Sequence, residues 1–145
     1  MFKKILVPVD GSETAWRALN NALEIGKKFE SEILVVNVIQ PYNNAALLAV
    51  PLDHATINQG NSELEKVGDK VLELAKEMVG SYPHKVEYDM EVGHPSERII
   101  ALSKKVEADA IVLGSRGLSG IAEFFLGSVS SNVSQYATVP VLIVK

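Results

Sequence analysis

The chain predicts a three-layer, doubly wound α/β domain with a parallel five-stranded sheet at its centre. Short apolar, β-branched runs alternate with stretches of helical periodicity from end to end. Strict alternation implies parallel strands joined by right-handed crossovers. Two of the runs, "EILVVNVI" and "ADAIVLGS", are nearly continuous in apolar residues, as expected of strands covered on both faces.

The elements follow in order. Residues 4–9 are apolar and stop at Asp10 and Gly11, which reads as a buried strand meeting a turn. A helix is expected over 14–29, where Ala15, Leu19, Ala22, Gly26 and Phe29 recur at helical spacing and Ser12 can cap the first turn. The second strand covers 32–39. Residues 41–60 hold Pro41, Pro51, Asn43, Asn44 and an apolar patch without a period, so an irregular excursion is expected there. Ser62 and Glu65 form a capping box for the second helix, whose stripe is Leu64, Val67, Val71, Leu74 and Met78. That stripe is heptad-like, but it ends by Gly80 and Pro83, too early for a coiled coil, and reads as a core face.

Residues 85–92 alternate Val86, Tyr88, Met90 and Val92 with charged residues, the pattern of a half-buried strand at a sheet edge. Pro95 suits the first position of a third helix, Glu97 suits its positive end, and Ile99, Leu102 and Val106 supply the stripe. The fourth strand at 108–115 leads into a glycine-rich loop. Val129, Val133 and Tyr136 sketch a fourth helix, and "PVLIVK" makes the last strand.

At 145 residues the chain fits one domain, 1–145, with a fair core. Its 47% hydrophobic and 22% charged residues are those of an ordinary globular protein. The absence of cysteine excludes disulfides and thiolate metal sites and suits a reducing compartment. The opening "MFKKILVPVD" is interrupted by Asp10 too soon for a signal sequence, and no apolar stretch is long enough to span a bilayer. A cytoplasmic protein is expected, without a membrane partner. The net charge of -4 comes with no basic stripe, so nucleic acid is not an expected partner.

Four of the ten glycines crowd into "LGSRGLSGIAEFFLGSVSSNV" at 113–133. This loop leaves the carboxyl end of the fourth strand, where doubly wound sheets bind ligands. Gly114 and Gly117 would let backbone approach a ligand closely. Gly127 precedes Ser128, Ser130 and Ser131, so free first-turn amides and hydroxyls together would make an anion site suited to a polyphosphate. The loop interior, with Phe124, Phe125 and Leu126, is apolar and would pack on ligand or protein. Arg116 could reach phosphate oxygens. Other nucleotide signatures fail: there is no Gly-Lys-Ser/Thr triplet, no Gly-x-Gly-x-x-Gly after the first strand, and no paired carboxylates beside Asp10. Ser12 and Thr14 could bind one phosphate in a flavodoxin-like carrier, but that leaves the later glycine loop unexplained.

The pattern Gly-x-x-Gly-x9-Gly-Ser at 114–128, "ILVPVDGSETA" at 5–15, "GHPSERII" at 93–100 and the terminal "VPVLIVK" resemble the universal stress protein family, in register from residue 3 to 145 except over 41–60. The resemblance implies an adenine nucleotide alpha hydrolase-like sheet of order 3-2-1-4-5, homodimers through the C-terminal strand, and, in the branch that keeps this glycine pattern, bound ATP or AMP with Mg2+ or Mn2+. It places adenine at the backbone of Val38, with Pro8 and Val9 lining the base and ribose side. It sets Asp10 at the nucleotide or at a water of its metal, and Leu113 and Gly114 at the ribose. Gly117, Gly127, Ser128, Val129 and Ser130, with Arg116 beside them, would hold the phosphates. The function so implied is a nucleotide-dependent stress-response regulator acting on a protein partner. The alternative is a slow metal-dependent ATPase or autophosphorylating enzyme with Ser128 or Ser130 as acceptor. Asp10 and Arg116 supply few of the groups that fast phosphoryl transfer needs, and His94 before Pro95 suits a helix cap better than a base.

Overall fold

The computed structural model describes residues 1–41, 53–117 and 127–145. The apolar patch at 45–50 and the loop residues Phe124, Phe125 and Leu126 lie outside the described residues. Five strands form one parallel sheet: β1 (Lys4–Pro8), β2 (Glu32–Ile39), β3 (Val86–Val92), β4 (Ala110–Gly114) and β5 (Val141–Val144). Their spatial order is β3-β2-β1-β4-β5, as the resemblance implies. Helices α1 (Glu13–Phe29) and α2 (His54–Val79) cover one face; α3 (Pro95–Lys105) and α4 (Ser128–Tyr136) cover the other.

The central strands explain why the core forms where it does. Ile5, Leu6 and Val7 of β1 are fully buried, because consecutive side chains of a strand point to opposite faces and here each face meets a helix pair. Ile5 and Val7 join Leu19, Ala22, Val35 and Val71 under α1 and α2. Leu6 joins Val36, Ile99, Ile111 and Val133 under α3 and α4. The alternating strand β3 is an edge strand, as its sequence predicts.

Helix α1 is capped by Ser12, whose Oγ accepts from the Ala15 amide at 3.3 Å. Its predicted stripe is buried up to Gly26, but Phe29 is 49% exposed and meets Phe2 edge-on instead.

Helix α2 departs from expectation at its start. It begins at His54 with Asp53 as N-cap, so 54–60 of the expected irregular excursion is helical and the Ser62/Glu65 capping box lies inside the helix. The Asp53 carboxylate accepts from the Thr56 amide at 2.7 Å, and its hydrogen bonds from Thr56 hold the carboxyl below its usual range. The first turns carry no apolar period because they pack on little. They extend a helix already nucleated by the packed segment downstream, where each added residue costs little.

The buried face of α2 is also rotated from the expected stripe. Gly68, Val71, Leu72 and Ala75 face the sheet, while Val67 is 59% and Leu74 42% exposed. A 3.5-residue stripe drifts around a helix of 3.6 residues per turn, and the residues that bring this helix close are small ones that a hydrophobic stripe does not register. In α4, Val133 is buried but Tyr136 is 62% exposed.

One contact sets the height of α1 over the sheet. A Cβ on Gly114 would lie 2.5 Å from Thr14 Oγ1 and 2.7 and 2.8 Å from the Thr14 and Ala15 backbone. Gly114 is therefore required by helix packing; the sequence reading assigned its small size to ligand approach. Gly114→Ala is expected to destabilise the fold by about 1 to 3 kcal/mol through overpacking, read as a lower urea midpoint with unchanged m-value.

Candidate functional site

The chain runs from β1 outward to β2 and β3, then returns to add β4 and β5 on the other side of β1. The carboxyl ends of β1 and β4 therefore face a crevice that no crossover helix fills. A pocket of about 370 Å³ opens there. All twelve residues that the sequence reading assigned to a nucleotide line it, and the elements bring them in by groups. The end of β1 supplies Pro8, Val9 and Asp10; β2 supplies Val38; β4 and the segment after it supply Leu113, Gly114, Arg116 and Gly117; the start of α4 supplies Gly127, Ser128, Val129 and Ser130. Five further lining residues were not assigned from sequence: Ala15, Val36, Pro95, Ile99 and Ser115. Ile99 and Val36 are buried apolar side chains of ordinary core type, so their sequence signal was that of packing.

One wall is apolar and one is polar. Val36 and Val38 from the sheet, Ile99 and Pro95 from α3 and Val129 from α4 make the first. Between them the backbone of Val38 is exposed in a defined direction. The Val36 carbonyl accepts from the Val9 amide on the β1 side, and the Ile39 carbonyl accepts from the Gly93 amide on the β3 side, each at 2.8 Å. Alternation along the strand then turns the Val38 amide and carbonyl to the β1 side, beyond the point where β1 pairing ends at Pro8 and Val36.

The polar wall is built from backbone. Helix α4 has Gly127 as N-cap, with no side-chain cap bond, and its first intrahelical bond is from the Ser131 amide to the Gly127 carbonyl at 2.9 Å. The amides of Ser128, Val129 and Ser130 thus belong to the first turn, which has no partners of its own within the helix. Gly127 lies in an ordinary extended conformation, φ -61°. Its smallness serves proximity: its amide donates to the Ser115 carbonyl at 2.7 Å, and an added Cβ would sit 3.2 Å from that oxygen. Ser130 differs from expectation. Its hydroxyl is buried and donates to the carbonyls of Ser115, at 2.8 Å, and Gly127, at 3.0 Å, so it is engaged in holding the loop to the start of α4. Ser128 is exposed at the pocket.

The segment 115–117 is held down by the start of α1. Thr14 Oγ1 and Ser12 Oγ both donate to the Arg116 carbonyl, at 2.6 and 3.3 Å. These two hydroxyls, which a flavodoxin-like reading would give to a phosphate, are spent on the loop. Asp10 Oδ1 accepts from the Ser12 amide at 2.9 Å, and its Oδ2 lies 2.9 Å from where a Cβ on Gly117 would stand. Asp10 and Arg116 are the only ionisable side chains lining the described pocket. His94 is the N-cap residue of α3, but its ring makes no cap bond and meets Ser96 Oγ at 3.1 Å. Among the described residues no cluster of three metal-ligating side chains occurs, and no helix is long and apolar enough to cross a membrane.

Comparison with known proteins agrees with this architecture. The chain is 37% identical to universal stress protein YxiE of Bacillus subtilis, covering the whole of both chains. It is similar to the solved structure of hypothetical protein MJ0577 of Methanocaldococcus jannaschii, with TM-score 0.81, 31% identity and coverage of 100% and 96%. A universal stress protein solved in complex with cAMP superposes with TM-score 0.73 at 25% identity, over 99% of this chain and 97% of that one. The family pattern itself, that of the universal stress proteins, matches from residue 1 to 145. On the sequence match and the shared fold together, the chain belongs to the universal stress protein family.

Proposed function

We propose that this chain binds an adenine nucleotide, ATP or AMP, in the pocket between β1, β4 and α4, and acts as a nucleotide-dependent regulator in the stress response. The observation that carries this reading is the pairing of an apolar slot bearing a strand backbone edge with a first helical turn whose amides point to the same space. An adenine ring fits the first, since the Val38 amide and carbonyl can meet its ring nitrogen and exocyclic amine. Phosphates fit the second, where amides and the helix dipole favour negative charge. The complex of a family member with cAMP, an adenine nucleotide, supports the ligand class.

Among the described residues, magnesium or manganese would find one protein carboxylate, Asp10, in this pocket. That suffices for an ion that takes its remaining ligands from phosphate oxygens and water. Bound there, the ion would neutralise phosphate charge, and Asp10 would hold it directly or through water. Arg116 adds a positive charge on the same side.

The same inventory favours binding over turnover. Fast phosphoryl transfer needs a positioned cation, a metal carboxylate and a group that orients the nucleophile, and neither histidine, lysine nor glutamate lines the described pocket. The alternative reading, slow hydrolysis or autophosphorylation, has its acceptor narrowed by geometry. The Ser130 hydroxyl is bonded to carbonyls and Ser128 remains exposed.

The sheet edge supports a further part of the reading, a homodimer formed through β5. Strand β5 pairs with β4 alone, Leu142 is 42% exposed, and no charged side chain interrupts 141–144. An unprotected apolar edge invites a second strand, and a twofold pairing with its own copy closes the interface.

Three outcomes test these statements. Gly127→Val is expected to keep the fold and abolish ATP binding measured by calorimetry, because the branched side chain pushes the α4 amides away from Ser115; unchanged affinity would refute the phosphate assignment. Asp10→Ala is expected to weaken ATP binding more with Mg2+ present than without it, and release of inorganic phosphate at a sustained catalytic rate by the parent protein would favour the enzyme reading. Leu142→Lys is expected to convert a dimer to monomer or aggregate by light scattering, whereas Lys66→Glu on the exposed side of α2 changes nothing; a monomeric parent at micromolar concentration would overturn the interface.

A further inference from the structure

Strand β2 carries one polar side chain in its buried middle. Asn37 is 7% exposed, in a strand otherwise built from Ile33, Leu34, Val35, Val36 and Ile39. A buried amide in such a place costs stability unless it is bonded. Its bond is specific: Asn37 Nδ2 donates to the carbonyl of Val9 at 2.8 Å.

Val9 is the last residue before Asp10. Its amide is already fixed to the Val36 carbonyl at 2.8 Å, so Asn37 secures the other end of the same residue. A trans peptide points its N–H opposite to its carbonyl. Pinning the Val9 carbonyl to Asn37 therefore sends the Asp10 amide away from Asn37, and it also sets where the Asp10 side chain leaves the backbone. That side chain is the one that meets Ser12 and lies against Gly117 at the pocket. Asn37 itself does not line the pocket.

Helix α2 is shaped to leave Asn37 this conformation. A Cβ on Gly68 would lie 2.7 Å from Asn37 Oδ1 and 2.9 Å from Met90 Cε. Glycine inside a long helix is unfavourable relative to alanine, so its presence opposite Asn37 has a packing reason. The pair joins a helix that does not touch the pocket to the one acidic residue that does so among the described residues.

We infer that Asn37, held by the space at Gly68, is a positioning residue that orients the Val9–Asp10 peptide for the phosphate and metal end of the ligand, leaving the base end to Val38 and the apolar wall. This inference rests on the nucleotide reading above and adds a residue to it.

The test compares ATP with Mg2+ against adenosine, which lacks phosphate, by calorimetry on the full chain. Asn37→Leu keeps the volume and removes the donor. Gly68→Ala leaves Asn37 in place but pushes it off Val9, while improving the helix propensity of α2. Both variants are expected to weaken ATP by about tenfold, the order of one lost hydrogen bond to a charged ligand's cradle, with adenosine changed less than about twofold on the same scale. In ligand-free protein both should shift the Asp10 amide resonance in the nitrogen-proton spectrum. Equal losses for ATP and adenosine, or parental ATP affinity in both variants, would overturn the positioning role. Failure of the parent protein to bind either ligand would instead overturn the nucleotide reading, and an unshifted Asp10 amide would then overturn the positioning role independently.

Discussion

The close approach of α1 to the end of β4 is the constraint on which the rest of the structure depends. Because Gly114 has no side chain, the first turn of α1 comes down onto the sheet and places Thr14 and Ser12 within reach of the Arg116 carbonyl. That clamp fixes the segment 115–117. The segment in turn supplies the Ser115 carbonyl, which receives the Gly127 amide and the Ser130 hydroxyl and so seats the start of α4. The start of α1 is thereby locked to segment 115–117 and the start of α4, more than a hundred residues on, at one corner, and that corner is the polar wall of the pocket.

The chemistry of the site follows from how it is locked. Most of the hydroxyls that a reader of the sequence would offer to a phosphate are consumed in holding loops: Ser12 and Thr14 on Arg116, Ser130 on Ser115 and Gly127. Among the described residues, what remains lining the pocket is mainly backbone amide, one carboxylate and one guanidinium. Preorganised amides bind an anion without supplying a base or a nucleophile. The described residues at this corner are thus rigidly held, because its hydroxyls are engaged by backbone carbonyls.

The two edges of the sheet are unlike in a way that bears on assembly. Strand β3 carries Glu87, Asp89 and Glu91 along its length, with Lys85 beside Glu87 and Glu32, and Arg98 bonded to Glu91. Charges repeated along an edge discourage a further strand. Strand β5 has none between Val141 and Val144. The asymmetry leaves the sheet with one apolar edge and one charged edge.

Much of the architecture was legible from periodicity and landmarks. The five strands, the α1 cap at Ser12, Pro95 at the head of α3 and the edge character of β3 all follow from local sequence, because they depend on neighbours within a few residues. The sheet order came from resemblance rather than from any local rule, since a crossover can return on either side of β1 until packing decides; the glycine loop was legible from its own residues, while Pro8, Val9, Asp10, Val38 and Leu113 were assigned to the site by resemblance. Other features belonged to tertiary structure alone. The sheet, and no helical stripe, chose the face of α2, so small Gly68 and Ala75 are buried while Val67 and Leu74 are exposed. Packing against Thr14 gave Gly114 its reason, and contact between distant loops decided which serine hydroxyls stayed free. Sequence by itself determined the elements and, apart from the start of α2, their approximate ends, because those are set by backbone propensity and burial pattern. Only the folded chain decided what each polar group at the pocket is bonded to, because a hydrogen bond between residues 14 and 116 exists only once the sheet has brought them together.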